Sequence, residues 1–535
     1  MHNTGGSGSL FRKGRSLMAD MLEEELSAGP QLPPGPDTIG DMFDFASQFM
    51  GRISEHRDGR RMMDRMLASF AGGVLVMTDY SGMGGCEMGF RMIQSAIESL
   101  GRQSRVRFYR SSDILKHARL VLMTDDPGGS PEHVFGNILG RLPTCVALEL
   151  EKLMEQMQAQ FNRRIADGED AVVVAKQLGS EFMGAAHSIM QQVRFSADAR
   201  QWCYKHRRFC NLYPQDIGAW PLSLACAGTT CTSWSSMGQK KHWMTKSAVV
   251  FLAWAYEMLA FRPAIIVHEC TPEFDFQQLI IIFGSFYLIR SCIFSPTDLG
   301  LPMSRPRRYT IMMLRCTFQP LLSFDVDGFG SLFFRSLRLT GHVLWQAPQQ
   351  MVNAHISKLA EKAFLPSLQA DGSPWPIRVV LSQAVDHRIE CYEKMCRRAR
   401  RRMKYIVNLR QTPQWCNGWS EAVPTLLTST SYLWSMVEGR VLLPIEHLGV
   451  QGLDCFNNCP SLPECPVVRL ALSGALTPRE VMHLAGNSFN IAAVTSVLLF
   501  AFTCFENRKA PAPAPVSSLR APLCICDEES DTDLQ

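Results

Sequence analysis

Five short segments hold the side chains with the most chemistry to offer; four end or follow an apolar run and one leads into one. Cys231 lies in Thr229-Thr230-Cys231-Thr232-Ser233, just after the run 222–226. A thiolate there would be a nucleophile suited to covalent catalysis. An inert packed cysteine is the other reading, since the chain has 18 cysteines. Glu269 ends the run Val267-His268-Glu269. Carboxylates are seldom buried unpaired, and one held there suits the work of keeping a proton. Arg305 and Arg307 alternate in Met303-Ser304-Arg305-Pro306-Arg307. Their planar forks match a phosphate or a base oxygen, and a solvated basic turn is the alternative.

The Gly-rich turn Asp79-Tyr80-Ser81-Gly82-Met83-Gly84-Gly85 follows the run 74–77. Glycines let backbone approach a ligand closely just before a helix begins. The Lys and Ser/Thr of a phosphate-binding loop are missing, so this turn is of another kind. Ser112-Asp113 follows the run 106–109, where an acid commonly reaches ribose hydroxyls. A solvated loop carboxylate would look the same. Two cysteine groups are read as carrying no metal. Cys203-x-x-His206-x-x-x-Cys210 is one ligand short of a zinc site, and Cys455, Cys459 and Cys465 sit in an Asn/Pro loop.

The elements that must position these residues follow from the pattern. Short apolar runs at 74–77, 106–109, 222–226, 264–267 and 309–314 alternate with helical stretches, such as the one through residue 100 and another over 245–260. That alternation predicts an α/β, doubly wound, Rossmann-like sheet whose ligands gather at the strands' carboxyl ends. The chain has 535 residues, 46% of them hydrophobic and 19% charged, which excludes a mainly disordered chain or a long coiled coil. The reading divides it into a disordered lead (1–36), a main domain (37–328) with a helical insertion (149–220), a second, smaller domain (329–435), a return to the main domain (436–504) and a disordered acidic tail (505–535). The apolar stretch 491–502 is too short to span a bilayer, and no signal peptide is evident. A soluble protein in a reducing compartment is expected, with no membrane partner. The net charge of +4 averages a basic stretch at Arg397, Arg398, Arg400, Arg401, Arg402 and Lys404 with the acidic tail.

In order and spacing these segments resemble the cytosine-5 DNA methyltransferase family. The turn 79–85 resembles its first motif, Ser112-Asp113 its second and His133-Val134-Phe135-Gly136-Asn137-Ile138 its third. Thr230-Cys231 falls at the Pro-Cys motif, Glu269 at the Glu of E-N-V, and Met303 to Arg307 at Q-x-R-x-R. Gly439-Arg440 through Glu446 to Gln451-Gly452 resembles the ninth motif, and Gly486-Asn487-Ser488 the tenth. The resemblance covers roughly 70–320 and 436–503. The chain departs from the pattern at Thr230, Thr232, Cys270-Thr271, Met303 and Asn137.

The resemblance implies methyl transfer from S-adenosylmethionine to carbon 5 of cytosine in a flipped base of DNA. Cys231 would be the nucleophile, Glu269 the holder of the proton at ring nitrogen 3, and Arg305 and Arg307 the contacts to the base oxygen. Tyr80, Ser81, Gly82, Gly84 and Gly85 would cradle the cofactor. Asp113 would bind ribose and Asn137 the adenine edge, with Ile138, Thr230, Asn487 and Ser488 completing the pocket. Residues 329–435 stand where the family keeps its target-recognition domain. The expected location is the nucleus, with the cytoplasm as alternative. RNA, such as transfer RNA, is the alternative substrate, and a degenerate binding protein the alternative to an enzyme.

Overall fold

The computed structural model describes residues 32–126, 129–216, 219–234, 240–398, 405–411, 421–428 and 432–507. Nine strands organise the first 314 residues: β1 (Val74–Asp79), β2 (Val106–Ser112), β3 (His133–Phe135), β4 (Arg200–Cys203), β5 (Arg208–Asn211), β6 (Leu222–Gly228), β7 (Ile265–Cys270), β8 (Tyr287–Phe294) and β9 (Arg307–Leu314). Seven of them form one sheet in the order β3-β2-β1-β6-β7-β9-β8. β1, β2, β3, β6 and β7 pair in parallel, while β9 runs antiparallel to both neighbours. A sheet covered on both faces needs strands that are apolar on both sides, and all six residues of β1 and of β7 are buried.

Strand alternation sends successive side chains to opposite layers. Val74, Val76, Leu224, Cys226, Ile265 and Val267 enter one cluster with helices Phe45–Ser54, Gly59–Gly72, Gly85–Ser99 and Ile491–Thr503. Ala225, Ala227 and Ile266 enter the other, with helices Thr144–Ala166, Ala171–Met190 and Ser247–Phe261. Every residue of helix Ile491–Thr503 is buried. It crosses helix Gly85–Ser99 at Gly89, where an added Cβ would lie 3.0 Å from Thr495 Oγ1. The window 478–503 has the length and apolarity to cross a membrane, yet 94% of its apolar stretch lies inside the protein as core.

The register brings the candidate residues to one edge. Asp79 lies beside Ala227, Gly228 beside Glu269, and Glu269 beside Tyr309 near the start of β9. Arg307 opens β9 from the same edge, because β9 is antiparallel to its neighbours.

Several expected boundaries move. The insertion is helical only through Met190; residues 200–211 form the β4–β5 hairpin. The chain body runs past 504, because Phe505–Asn507 pairs with Phe318–Pro320. Residues 34 and 35, expected in the lead, lie along Ser336, with a Gly35 N–H to Ser336 O bond of 2.9 Å. Residues 1–31 and 508–535 lie outside the described residues.

The 329–435 segment contains helices Gln349–Lys362 and Gln383–Arg398 and strands Ile406–Asn408 and Leu433–Ser435, joined in one small sheet by Arg440–Val441. It has a small cluster of its own around Ile389, Tyr392, Leu409 and Trp434. Leu344, Val352, Ile356 and Val423, however, belong to the same core as β1. Of the basic stretch, Arg397 is exposed and pairs with Glu393 at 3.4 Å; the side chain of Arg398 and all of Arg400, Arg401, Arg402 and Lys404 lie outside the described residues.

Candidate active site

The Gly-rich turn is built on positive φ angles. Tyr80 (φ 54°), Gly82 (φ 56°) and Gly84 (φ 83°) all lie in the left-handed region. For Tyr80 this costs about 1–2 kcal/mol, so the surroundings must hold it. They do. Ser81 N–H donates to Ser112 O (3.0 Å), Ser112 N–H donates to Ser81 Oγ (3.1 Å), and Thr78 Oγ1 lies 2.7 Å from Ser81 Oγ. Asp113 holds the turn from β2: its Oδ2 accepts Gly82 N–H and its Oδ1 accepts Leu115 N–H, each at 2.8 Å. Burial pushes its carboxyl above the usual range, against these bonds and Arg119.

The turn fits the donor that the resemblance implies. A Cβ on Gly82 would meet nothing closer than Asn487 O at 4.0 Å, leaving the backbone there open. Ser488 Oγ and Glu87 Oε2 are buried without hydrogen-bond partners. Ser488 Oγ would lie 3.2 Å from a Cβ at Gly85, and Glu87 Oε2 3.8 Å from one at Gly84. Phe489 fills the space between Gly85 and Gly228, within 3.2 Å of an added Cβ at either. Asn487 is exposed, and its Nδ2 lies 3.4 Å from His483 Nε2. Asn137 is exposed at the end of β3; its Oδ1 caps the turn Ile138–Arg141 through Leu139 N–H at 3.1 Å. Ile138 is buried beneath it.

Cys231 follows β6 and is half-buried. Thr230, where the family has proline, is exposed. The preceding Thr229 anchors this loop: its N–H reaches Glu269 O (3.2 Å) and its hydroxyl lies 2.8 Å from His268 Nε2. His268 is fully buried between Trp254 and Phe274, and burial, aided by Arg308, holds its pKa down to about 3. Residues 235–239 lie outside the described residues.

Glu269 is 7% exposed and Arg307 8%. Arg307 Nε stands 2.9 Å from Glu269 Oε1, as an ion pair that leaves this oxygen without a directed hydrogen bond. Burial raises the pKa of Tyr309, and the neighbouring Glu269 charge adds to it.

Arg305 behaves differently from expectation. Its guanidinium is 6% exposed and turned to backbone, donating to Ser488 O (2.6 Å), Gly486 O (3.3 Å) and Leu426 O (3.3 Å). Burial, then Arg307, lowers its pKa to about 10, with Glu269 and Cys231 acting the other way. The base contact read for Arg305 is therefore corrected: it fastens three chain segments behind the site. Residues 421–428 run along 302–305, with Val423 N–H to Pro302 O at 2.9 Å and Ser304 N–H to Val423 O at 2.8 Å. An added Cβ on Gly486 would strike Thr428 N at 2.6 Å, so only glycine permits this junction. The ninth-motif residues are likewise structural. Glu446 is fully buried against Arg440 (2.7 Å) and accepts Ala347 and Leu443 N–H, while Gln451 Nε2 donates to Ala485 O (2.6 Å).

Two features were not foreseen. Asp79 and Glu257 form a closed buried square with Arg110 and Arg141, with Tyr213 donating to Glu257. Burial alone would raise the Asp79 pKa, but Arg141 and Arg110 hold it down to about 2. The second is a cavity of about 780 Å³ between helices Lys116–Met123 and Pro478–Asn487, lined by His117, Lys362, Arg410, Arg479 and His483 with Glu480 the one acid. Glu480 is already used, capping its own helix through Thr477. Both signals were scattered along the chain, so only the fold collects them.

Comparison with known proteins gives little further. No protein-family model matches the chain, and no curated protein matches it. Among solved structures the chain is similar to the methyltransferase EhMeth of Entamoeba histolytica (13% identity, TM-score 0.36, covering 80% of this chain and 98% of that one). It is similar to the Dnmt2 methyltransferase of S. pombe (12%, 0.36, 80% and 98%). A proposed DNA modification methyltransferase encoded within an E. coli prophage is a third (11%, 0.40, 81% and 99%). Identities and TM-scores this low add no argument to the strand order and to the residues gathered at the sheet edge.

Proposed function

We propose that the chain is an S-adenosylmethionine-dependent methyltransferase acting on carbon 5 of cytosine in DNA. One observation carries this reading. Cys231, Glu269, Arg307 and the open Gly82 turn stand at the same carboxyl edge of one sheet, in the order and spacing that resemble the family.

When bound, the cofactor supplies an electrophilic methyl group. The chain's own residues do the rest. Cys231 Sγ adds as thiolate to carbon 6 of a cytosine turned out of the helix, which makes carbon 5 nucleophilic. Glu269 shares a proton with ring nitrogen 3 and accepts from the exocyclic amine through its other oxygen, while Oε1 stays against Arg307. Arg307 keeps that carboxylate in place and presents positive charge to the base oxygen. Carbon 5 takes the methyl group as the donor's sulfur–methyl bond breaks, and its proton then passes to water. The carbon 5–hydrogen electrons restore the ring double bond as the carbon 6–sulfur electrons return to Cys231 as thiolate. Asp113 holds the turn open for the donor, and Ser488 and Glu87 offer it buried polar atoms.

The cation-lined cavity supports a polyanionic substrate, because Lys362, Arg410 and Arg479 would neutralise phosphates. Such contacts position a strand without reading its sequence. Residues 329–435 then act as the target-recognition region, and a DNA substrate carries the nuclear location expected above.

Transfer of tritiated methyl from S-adenosylmethionine to unmethylated duplex DNA and to transfer RNA tests the proposal. Label at carbon 5 of cytosine in DNA is the expected result. Label in RNA alone would move the substrate, and no label in either would remove the reading.

A further inference from the structure

His133, Cys203, His206 and Cys210 bring one ligand atom each to a common point, with all four atoms within 4.8 Å of one another. The trio in the hairpin was one ligand short by itself. The missing ligand comes from 70 residues upstream, at the first position of edge strand β3.

The distances have the right shape. His206 Nδ1 lies 3.5 Å from Cys203 Sγ, 3.5 Å from Cys210 Sγ and 3.2 Å from His133 Nδ1. One imidazole nitrogen carries at most one hydrogen, so it cannot serve three partners by hydrogen bonds. Zinc–sulfur and zinc–nitrogen bonds arranged as a tetrahedron have edges of about 3.6 Å between S and N and about 3.3 Å between two N. The three separations from His206 match those edges, and the remaining pairs lie within 4.8 Å. The two cysteines are buried, with Leu212, Tyr109 and Phe135 on the inner side, while Arg208 stands against Cys210 and Glu132 against His133 on the outer side. Cys455, Cys459 and Cys465 form no such group among the described residues.

We propose that these four residues form a Cys2His2 site for one zinc-type divalent cation, which fastens the β4–β5 hairpin to the sheet edge. The surroundings show what the clamp would steady. Tyr204 N–H donates to Val134 O (2.8 Å), Lys205 Nζ to Ser130 Oγ (2.8 Å), and Gln201 Nε2 to Asn137 O (2.6 Å). The metal would sit at the start of β3, and the hairpin it fastens reaches the far end of that strand, where Gln201 meets Asn137. Its role is structural, since four protein ligands leave no open position.

The test is metal content of the full chain, purified under reducing conditions with zinc in the medium. About one zinc per chain is expected. Cys203→Ser with Cys210→Ser should drop it at least fivefold, and His206→Ala, at an exposed position that folding tolerates, should weaken retention against a chelator at least tenfold. Cobalt substitution should give thiolate-to-metal charge transfer in the unaltered chain. Stripping the zinc should speed hydrogen exchange in 200–211 and 133–137 while sparing the helix Ile491–Thr503. Less than half an equivalent of zinc in the unaltered chain overturns the proposal. So does an intact mass showing a Cys203–Cys210 disulfide, or full zinc retention by the double variant.

Discussion

Two pairs of buried arginines serve the same sheet edge and are balanced differently. Arg110 and Arg141 face Asp79 and Glu257, two cations against two carboxylates, all at most 8% exposed. Their partners raise the pKa of both arginines despite burial. Arg307 pairs with Glu269, while Arg305 beside it is turned to backbone carbonyls and is lowered to about 10 by burial and by Arg307. A closed ring of charge is a structural device, since removing one member leaves an unpaired buried ion. Two cations beside one carboxylate leave room for an anionic partner that arrives during the reaction. A Cys231 thiolate, or a polarised base oxygen, would be that partner. The difference teaches where to look for chemistry: at the unbalanced pair.

Substitutions should separate the two regions. Cys231→Ala should cut methyl transfer by more than about 10⁴-fold, measured in single turnover, while leaving the melting temperature nearly unchanged. Glu257→Gln should do the opposite. It should cost about 3–5 kcal/mol in denaturant unfolding by stranding Arg110 and Arg141, with a smaller change in rate per folded molecule. Glu269→Gln should slow the chemical step by about 10²-fold or more and leave nucleic-acid affinity close to the parent's. If it changed stability alone, both arginine pairs would be structural and the comparison would fail.

The pH dependence of stability probes the balanced pair. Asp79 is held at about 2 in the fold, against about 3.9 in an unfolded chain. The unfolded state therefore takes up its proton first as pH falls. Stability from this group is complete above about pH 4 and is lost between there and pH 2, by about 2 kcal/mol. Thermal unfolding of the parent and of Asp79→Asn over that range checks the sign. The smallest effect belongs to Arg305→Lys, which keeps the charge but loses the fork that grips Leu426, Gly486 and Ser488. A roughly tenfold rise in KM for cofactor or nucleic acid, with kcat little changed, is the expected pattern.

Much of this was legible in the sequence, for a physical reason. Central strands buried on both faces must be apolar runs, so β1, β2, β6, β7 and β9 stood out, and the residues just beyond them could be read as a site. β8 did not, because it exposes Arg290 and Ile293 on an outer strand and breaks the run. The hairpin 200–211 was absorbed into a helical insertion since its strands are four residues each, with exposed Arg200, Arg208 and Phe209. Pairings across long sequence distances were invisible. Glu257 looks like a lone acid in an apolar helix until Arg110 and Arg141 arrive beside it. His133 looks like part of the third motif until the hairpin folds over it. Arg305 was read toward a base because its type and spacing matched, whereas its carbonyl partners come from segments more than 100 residues away.

The central claim is that Cys231 forms a bond to carbon 6 of a target cytosine. Incubating the full chain with S-adenosylmethionine and DNA carrying 5-fluorocytosine tests it most directly, because fluorine at carbon 5 blocks release of the sulfur. A denaturation-resistant protein–DNA adduct that depends on cofactor and vanishes in Cys231→Ala is the predicted result. No adduct with fluorocytosine DNA or RNA, or an adduct that survives Cys231→Ala, would contradict it.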